Sequence, residues 1–161
     1  MIESTVDFLR EYVSAELVVF IISMLPIFEL RGGLIAAAIV GIEWYIAFPI
    51  CVIGNMLPIP FVLLFIRKIF DWLKKFKAFK NLVEKLDERA KKKSESISKY
   101  ILWGLFTFVA IPLPGTGAWT GALVADVLDV RIKKSFPIIF LGVITAGLII
   151  SFISYVIPMM F

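Results

Sequence analysis

The stretch LVVFIISMLPIFELRGGLIAAAIV, residues 17–40, contains two short apolar runs separated by a charged motif. A membrane-spanning helix needs roughly 20 mainly apolar residues, and each run is shorter than that. We therefore expect Leu17–Phe28 and Leu34–Val40 to form the legs of a re-entrant helical hairpin, which enters the membrane and returns to the same side. Such backbone is tolerated where protein or a watery cavity surrounds it. The alternative is one span with a kink at the charged motif.

The composition of the chain indicates an integral membrane protein. Hydrophobic residues make up 60% of its 161 residues and charged residues 19%, whereas soluble domains are closer to half apolar and a quarter charged. We predict a single all-α membrane domain over residues 1–161. The acidic N-terminus lacks a basic n-region, so we expect no cleaved signal peptide.

Several enzyme classes are excluded by residues that the sequence does not contain. It has no histidine, which removes Ser-His-Asp triads, HExxH metal sites and histidine proton shuttles. It also has no GxxxxGKS/T phosphate loop and no CxxC zinc motif, and its single Cys51 rules out an intrachain disulfide. We therefore expect no enzymatic activity, no cofactor and no metal site.

A second interrupted apolar region and two uninterrupted ones lie further along the chain. Ile101–Ile111 and Ala118–Leu128 flank the sequence PLPGTG and predict a second hairpin. Ile42–Ile66 and Ser135–Phe161 are each long enough to cross a bilayer. Prolines inside these two segments are tolerated where neighbouring helices satisfy the freed carbonyl groups.

An internal repeat appears when the chain is compared with itself at a shift of 88 positions. Nine identical pairs fall between residues 20 and 54 and their partners, several of them at Pro, Gly and Phe-Pro sequences: Phe20/Phe108, Leu25/Leu113, Pro26/Pro114, Gly33/Gly121, Ala37/Ala125, Phe48/Phe136, Pro49/Pro137, Ile50/Ile138 and Gly54/Gly142. Each half is then a re-entrant hairpin followed by one transmembrane helix. Because the hairpin returns to its own side and the span changes side, we predict an inverted repeat, as in many transporters.

The charge distribution predicts the orientation in the cell membrane. Residues 67–99 hold twelve of the seventeen Lys and Arg residues, so the positive-inside rule makes this segment cytoplasmic and both termini external. We divide the multi-pass domain into an external interfacial helix (1–16), repeat 1 (17–66), a basic linker (67–99) and repeat 2 (100–161).

The basic linker has apolar residues at helical spacing, namely Trp72, Phe76, Phe79, Val83, Leu86 and Ala90. This pattern predicts a basic amphipathic helix that lies on the anionic inner leaflet. A connector packed on the protein itself fits the pattern equally well. Membrane topology already accounts for the lysines, so we expect no binding of nucleic acid.

The charged motif of the first hairpin is the main candidate for chemistry, because ionisable residues inside a membrane are costly and usually functional. We predict that Arg31 grips a phosphate or carboxylate group and that Glu29 takes up and releases a proton as its surroundings dry and wet. The alternative is an ion pair that only neutralises itself.

The remaining candidates lie beside this motif and in the second hairpin. Glycine leaves backbone N–H groups accessible, and a helix that starts near Gly117 directs its positive end at an anion. Close helix packing is the alternative role for these glycines. Asp126 and Asp129 are spaced to share a helix face, with Asp129 nearer the interface. The predicted substrate-binding residues are Arg31, Gly32, Gly33, Gly115, Thr116 and Gly117, and the predicted proton-coupling residues are Glu29 and Asp126.

The sequence FELRGG, paired with PLPGTGAWTG about 85 residues later, resembles the small multidrug export protein family, which is distantly similar to the DedA membrane proteins. The resemblance covers nearly the whole chain. It implies two facing re-entrant hairpins, each followed by a span, and a transport function. DedA relatives are linked to the movement of phospholipids or polyprenyl phosphate carriers and to the proton-motive force.

The resemblance carries over residue by residue only at the two motifs. Glu29 and Arg31 match the acidic-x-Arg-Gly motif, and Pro112–Gly117 match the motif of the second hairpin. The chain is shorter than typical DedA proteins. Typical DedA proteins have an arginine pair after the second hairpin. This chain has no clear counterpart of that pair unless Arg131 takes its place.

Three functions are compatible with the sequence. The first is a membrane transporter or lipid flippase for an amphiphile with an anionic, phosphate-type head group, with the hairpin turns meeting at mid-membrane and a proton coupled through Glu29. The second is an exporter of lipophilic cations, which Arg31 would repel. The third is a non-transporting membrane scaffold. The expected partners are membrane lipids, the anionic amphiphile or lipid phosphate, protons and a second copy of the chain in a homodimer.

Overall fold

The computed structural model describes residues 14–73 and 95–160. Most of the predicted external helix (1–16) and most of the basic linker (67–99), including its apolar face beyond Trp72, lie outside these residues. Every regular element in the described part of the chain is helical, so the all-α prediction is confirmed there.

The first interrupted region forms two short helices in contact, α1 (Ala15–Met24) and α2 (Glu29–Ile39). α1 ends at Met24 because Leu25 takes an extended conformation, with φ −74° and ψ 135°. Leu25 immediately precedes Pro26, and residues before proline tend to be extended. We expected the charged motif between the two legs, with Glu29 and Arg31, to form the turn of the hairpin, and this was wrong. The turn comprises residues 25–28, and both charged residues belong to the first turn of α2.

The second interrupted region also forms two helices in contact, α5 (Glu95–Ala110) and α6 (Ala118–Val127). Residues 111–117 connect them, and Gly117 caps the start of α6, as the sequence predicted. The pair of short helices is thus confirmed in each half. The return of each pair to one face of a membrane, and the inversion of the repeat, stay predictions.

Each helical pair is followed by a longer apolar helical segment. The first runs through α3 (Trp44–Met56) and α4 (Ile59–Leu73), with a bend at residues 57–58 where Pro58 and Pro60 remove backbone donors. The second comprises α7 (Ile132–Ser151), a π-helical turn (Phe152–Val156) and α8 (Ile157–Met160).

Trp44–Phe65 and Ile132–Val156 are long and apolar enough to cross a membrane, which agrees with the two predicted spans. Their most apolar windows are only 39% and 33% buried within the structure. A helix in the core of a soluble protein would be mostly buried, whereas a lipid-facing helix leaves apolar side chains exposed. Among the exposed side chains on the first segment are Phe61 and Phe65.

The internal repeat is visible in the helix boundaries and in the buried residues. α3 and α7 begin 88 residues apart, and α2 and α6 end 88 residues apart. The buried positions of these helices also repeat with this spacing: Leu30/Ala118, Leu34/Ala122, Ala37/Ala125, Ala47/Ser135, Cys51/Ile139 and Asn55/Val143. The same packing surface is therefore used in both halves, although its side chains differ.

The contacts divide the chain into two compact units. The first unit contains Met1–Leu57 and Gly147–Phe161, and the second contains Pro58–Ala146. In the first unit, α1, α2 and α3 pack on one another, and the π-helical turn packs on α2. In the second, α6 packs on both α4 and α5. The predicted repeat boundaries at 66/67 and 99/100 fall inside α4 and α5, and the division into repeats and linker stays a prediction.

Glycines hold the helices of each unit close together. A Cβ atom on Gly33 would overlap the Ser23 hydroxyl of α1 and lie 3.0 Å from Sγ of Cys51 on α3. A Cβ atom on Gly121 would lie 2.5 Å from a methyl group of Val109 on α5. These distances are too short for a side chain, so the packing interpretation of the repeated glycines is well supported.

Candidate functional site

Glu29 is the most unusual residue of the first unit. It begins α2, its side chain is only 7% exposed, and its backbone has φ +52°. Its N–H group donates to the carbonyl oxygen of Leu25 at 2.8 Å, which holds the turn closed. A left-handed conformation is uncommon in residues other than glycine, and strain of this kind is often found at functional sites.

Arg31 lies two residues further along the same helix and is half-buried. The carboxylate of Glu29 interacts electrostatically with its guanidinium group. The structure therefore brings the two predicted charged residues together within the first unit. Arg31 is thus less buried than Glu29, which is almost fully enclosed.

Gly32 and Gly33 are the other predicted binding residues of the first unit, and each lies close to other residues, Gly32 to the start of its own helix and Gly33 to the neighbouring helices. A Cβ atom on Gly32 would lie 2.7 Å from Cβ of Phe28, and Gly33 faces Ser23 and Cys51 as described above. Both glycines thus have a packing role that explains their small size. Their predicted role in substrate binding stays a prediction.

The loop that precedes α6 in the second unit contains Gly115, Thr116 and Gly117. Gly115 has φ +82°, a conformation that glycine adopts without strain. The Thr116 hydroxyl lies 2.8 Å from the carbonyl oxygen of Ile111 and 2.9 Å from that of Leu113, and it accepts from the N–H of Leu113 at 3.3 Å. The hydroxyl thus holds the loop together, and its predicted contact with substrate stays a prediction.

Asp126 and Asp129 do not share a helix face, and our expectation that they would was wrong. α6 ends at Val127, and Asp129 takes a left-handed conformation with φ +52° in the turn that follows. Its N–H donates to the carbonyl oxygen of Asp126 at 2.9 Å. Asp126 itself lies in the last turn of α6 and is partly buried. The predicted site residues are thus divided between the units: Glu29 to Gly33 in the first, and Gly115 to Gly117 with Asp126 in the second.

Two polar residues of the first unit, Asn55 and Tyr155, were not among the predicted site residues, although Asn55 was a candidate for a hydrogen bond between helices. Asn55, on α3, is 2% exposed, and its side-chain oxygen has no hydrogen-bond partner among the residues that the structure describes. Tyr155, in the π-helical turn, donates its hydroxyl to the carbonyl oxygen of Ile42 at 2.9 Å. A polar residue in an apolar span was a signal for Asn55, but no sequence pattern pairs Tyr155 with a residue so distant along the chain.

A metal site is not formed by the part of the chain that the structure describes, since no group of three or more Cys, Asp or Glu residues lies close enough to hold an ion. The expectation that the protein needs no metal and no cofactor stays a prediction. The buried or half-buried groups that the candidate site of the first unit offers are the Glu29 carboxylate, the Arg31 guanidinium group and the Asn55 amide.

The relationship of the chain to known proteins rests on a match over residues 29–149. No curated protein and no solved structure matches the chain. One family model does match, described as "Putative small multi-drug export protein", and it covers residues 29–149, from the first residue of α2 to near the end of α7. None of these matches shows a similarity to the DedA proteins. Because the model spans most of the chain and includes both motifs, the protein belongs to this small multi-drug export family.

Proposed function

We propose that the protein is a multi-pass membrane transporter that moves an amphiphile with an anionic, phosphate-type head group and couples this movement to a proton. The observation that carries the proposal is the enclosed Glu29, held in a left-handed conformation beside half-buried Arg31. The family description and the two apolar helices long enough to span a membrane support a transport function.

Arg31 supplies the anion-binding part of the proposed mechanism. A guanidinium group presents several N–H donors in a planar fork that matches carboxylate and phosphate oxygens. Arg31 is exposed enough to reach a ligand and buried enough to bind it in a medium where charge interactions are strong. A plain structural turn would not need it, since apolar residues often stabilise buried positions as well as ion pairs do.

Glu29 supplies the proton-coupling part. Ionisation of an enclosed carboxylate is costly, and the group takes up a proton when its surroundings dry. When an anionic head group binds Arg31, the attraction between Arg31 and Glu29 is shared with the ligand. Glu29 then favours its protonated form. Release of the head group restores the ionised carboxylate, so proton uptake and substrate binding are linked.

Export of lipophilic cations is the second candidate function. The family description favours it, and the enclosed carboxylate of Glu29 offers a counter-ion. Arg31 opposes it, because the guanidinium group lies in the same helical turn and would repel a cation. The two candidates differ in the sign of the substrate charge and therefore in the expected effect of removing Arg31.

The proposal is tested with purified protein reconstituted in phospholipid vesicles that carry a pH gradient. Arg31→Lys should lose most transport of a fluorescent lipid phosphate while the fold is kept, because lysine cannot form the bidentate fork. Glu29→Gln should abolish the effect of the pH gradient but leave binding of the lipid phosphate, since glutamine imitates the protonated acid. Lys133→Arg, an equally conservative change at an exposed basic residue outside the candidate site, is the control and should transport as the wild type does.

The double variant Glu29→Gln with Arg31→Gln distinguishes function from simple charge pairing. If the two residues were only an ion pair, each single neutralisation would leave one charge unpaired and destabilise the protein, and the double variant would recover both folding and transport. A folded and fully active double variant would therefore refute the proposal. Transport of a lipophilic cation that improves in Arg31→Gln would instead favour the second candidate.

A further inference from the structure

The helical hairpin formed by α2 and α3 brings Glu29 and Asn55 to the same level. α2 and α3 are joined by a short connection and pack against each other. Gly33 on α2 faces Cys51 on α3, as the 3.0 Å approach of a Gly33 Cβ atom to the Cys51 sulfur shows. The two helices therefore run antiparallel, with these residues as a matched pair.

One helical turn away from this pair, the same register matches Glu29 with Asn55. Glu29 precedes Gly33 by four residues and Asn55 follows Cys51 by four residues, so both lie about one helical turn from the pair along the helix axes. Nearer the connection, the same register matches Ala37 with Ala47, and both are fully buried. Glu29 and Asn55 are themselves 7% and 2% exposed. Two buried polar side chains thus converge on one level of the hairpin.

Asn55 is polar at a position where the second half of the repeat has Val143, which is also buried. An asparagine is therefore not required for packing at this point of the fold. Its side-chain oxygen is buried and has no hydrogen-bond partner among the residues that the structure describes. A buried acceptor left without a donor is costly, so the side-chain oxygen of Asn55 calls for an explanation.

We propose that the side-chain oxygen of Asn55 accepts a hydrogen bond from the protonated carboxyl group of Glu29, so that the two residues form a buried proton-sensing pair. A proton from water adds to a carboxylate oxygen of Glu29, and the new O–H group donates to Asn55. When the proton returns to water, Asn55 loses this donor. The inference rests on the proposed proton coupling by Glu29 and makes Asn55 its positioning residue.

Other titratable groups near Glu29 shape this equilibrium. Arg31 on the same helix favours the ionised carboxylate. Cys51 lies one turn from Asn55 on α3, and Tyr155 of the π-helical turn donates to Ile42 beyond the opposite end of α2. Glu16 of α1 and Glu43 before α3 lie towards that opposite end as well. Arg31 is therefore the main opposing charge, and Asn55 is the group that favours the protonated form.

The experiment is an infrared pH titration of the Glu29 carboxyl band in the full-length protein, reconstituted in phosphatidylcholine vesicles, with Glu29→Gln used to identify the band. In Asn55→Leu, which has a similar shape but no acceptor, the midpoint of Glu29 protonation should fall by about one pH unit, the equivalent of one hydrogen bond. The carboxyl C=O band should also move to higher frequency. Ser151→Ala, which removes the other described buried and unpartnered side-chain oxygen, is the control and should change neither.

A second measurement needs no substitution at position 55. Asparagine occurs only at positions 55 and 81, so isotope-labelled asparagine in an Asn81→Gln protein reports on Asn55 alone. The Asn55 amide band should shift to lower frequency with the same midpoint as Glu29 protonation. An amide band that does not respond to pH, or an unchanged Glu29 midpoint in Asn55→Leu, overturns the inference. Neither readout depends on transport, so a protein that shows the pair but moves no substrate would refute only the proposed function.

Discussion

Gly41 and Asp129, which lie 88 residues apart, both have a positive φ at the same point of the two halves. Gly41 has φ +80° after α2, and Asp129 has φ +52° after α6. In each case the next N–H group reaches back to close the helix end, from Ile42 to Ala37 at 2.9 Å and from Val130 to Ala125 at 2.8 Å. The positive φ of Asp129 is therefore explained by its position just after the end of the helix, which glycine usually occupies.

This equivalence predicts opposite effects of substitution at the two positions. Asp129→Gly should stabilise the protein by about 0.5–1 kcal/mol, because glycine adopts the left-handed conformation without steric strain. Gly41→Ala should destabilise it by about 1 kcal/mol, although a Cβ atom there would meet no other atom within 4 Å. Denaturant unfolding in detergent measures both. Equal stability of Gly41→Ala and wild type would show that the conformation is not maintained.

The glycines at the helix contacts predict a second set of stability changes. Gly33→Ala and Gly121→Ala should each lower the free energy of unfolding by about 2 kcal/mol, because the added methyl group overlaps a neighbouring helix. Part of the loss should return when the neighbour is shortened, in Ser23→Ala/Gly33→Ala and in Val109→Ala/Gly121→Ala. If neither double variant regains stability, the overlap of the added methyl group with Ser23 or Val109 is not the cause of the loss.

The control for the glycine series is Gly104→Ala, in the interior of α5. A Cβ atom at Gly104 would meet nothing within 4 Å. This variant should therefore be neutral or more stable by about 0.5 kcal/mol, since alanine favours a helix. A large loss of stability in Gly104→Ala would mean that the alanine series reports something other than local overlap.

The hydrogen bond from Tyr155 predicts a stabilising link between the π-helical turn and the α2–α3 connection. Tyr155→Phe removes the hydroxyl that donates to the carbonyl oxygen of Ile42, and the free energy of unfolding should fall by about 1 kcal/mol. Tyr100→Phe provides the matched control, because Tyr100 is 78% exposed on α5. Equal stabilities of the two variants would show that the bond contributes nothing.

The start of α1 predicts a pH-dependent effect. The Ser14 side chain accepts from the N–H of Leu17 at 3.3 Å, and hydrogen bonds from the Glu16 backbone and the Ser14 side chain lower the pKa of Glu16. A lowered folded-state pKa contributes stability above the unfolded pKa, and this contribution is lost as the pH falls through the folded value. Ser14→Ala should cost about 1 kcal/mol of helix stability at neutral pH and raise the Glu16 pKa towards its usual range.

The measurement for this prediction is a carbon-13 NMR titration of Glu16 together with unfolding at neutral and acidic pH. Ser14→Asp should keep the helix cap and the neutral-pH stability. A Glu16 titration that is identical in Ser14→Ala and wild type would contradict the assigned hydrogen bond.

The two acidic residues with left-handed backbone should differ in their importance for transport. Glu29→Gln should abolish pH-driven transport, because Glu29 is enclosed and carries the proposed proton. Asp129→Asn should leave transport nearly unchanged, because Asp129 is exposed and asparagine tolerates the same conformation. Vesicle assays with equal amounts of folded protein compare the two. Equal losses would show that the ranking of these carboxylates is wrong.

The sequence alone determined the helical class, the two apolar segments long enough to span a membrane and the interrupted region that precedes each of them. Runs of apolar residues shorter than a membrane thickness, and prolines and glycines at their ends, are local features that limit where helices can form. The repeat was also readable, because its identical residues fall at positions that require small or helix-ending side chains. The match of buried positions at a shift of 88 residues in α2, α3, α6 and α7 agrees with it.

Only the tertiary structure decided the local conformation and the partners of the site residues. The sequence placed Glu29 in a turn, but in the structure α2 starts at Glu29, which has a positive φ and donates its N–H to the carbonyl oxygen of Leu25. Likewise, Asp129 leaves the helix because the capping turn after α6 requires that conformation. The convergence of Asn55 with Glu29 depends on the register of two antiparallel helices. Register is set by contacts such as Gly33 with Cys51, which join residues distant in the chain and leave no local pattern in the sequence.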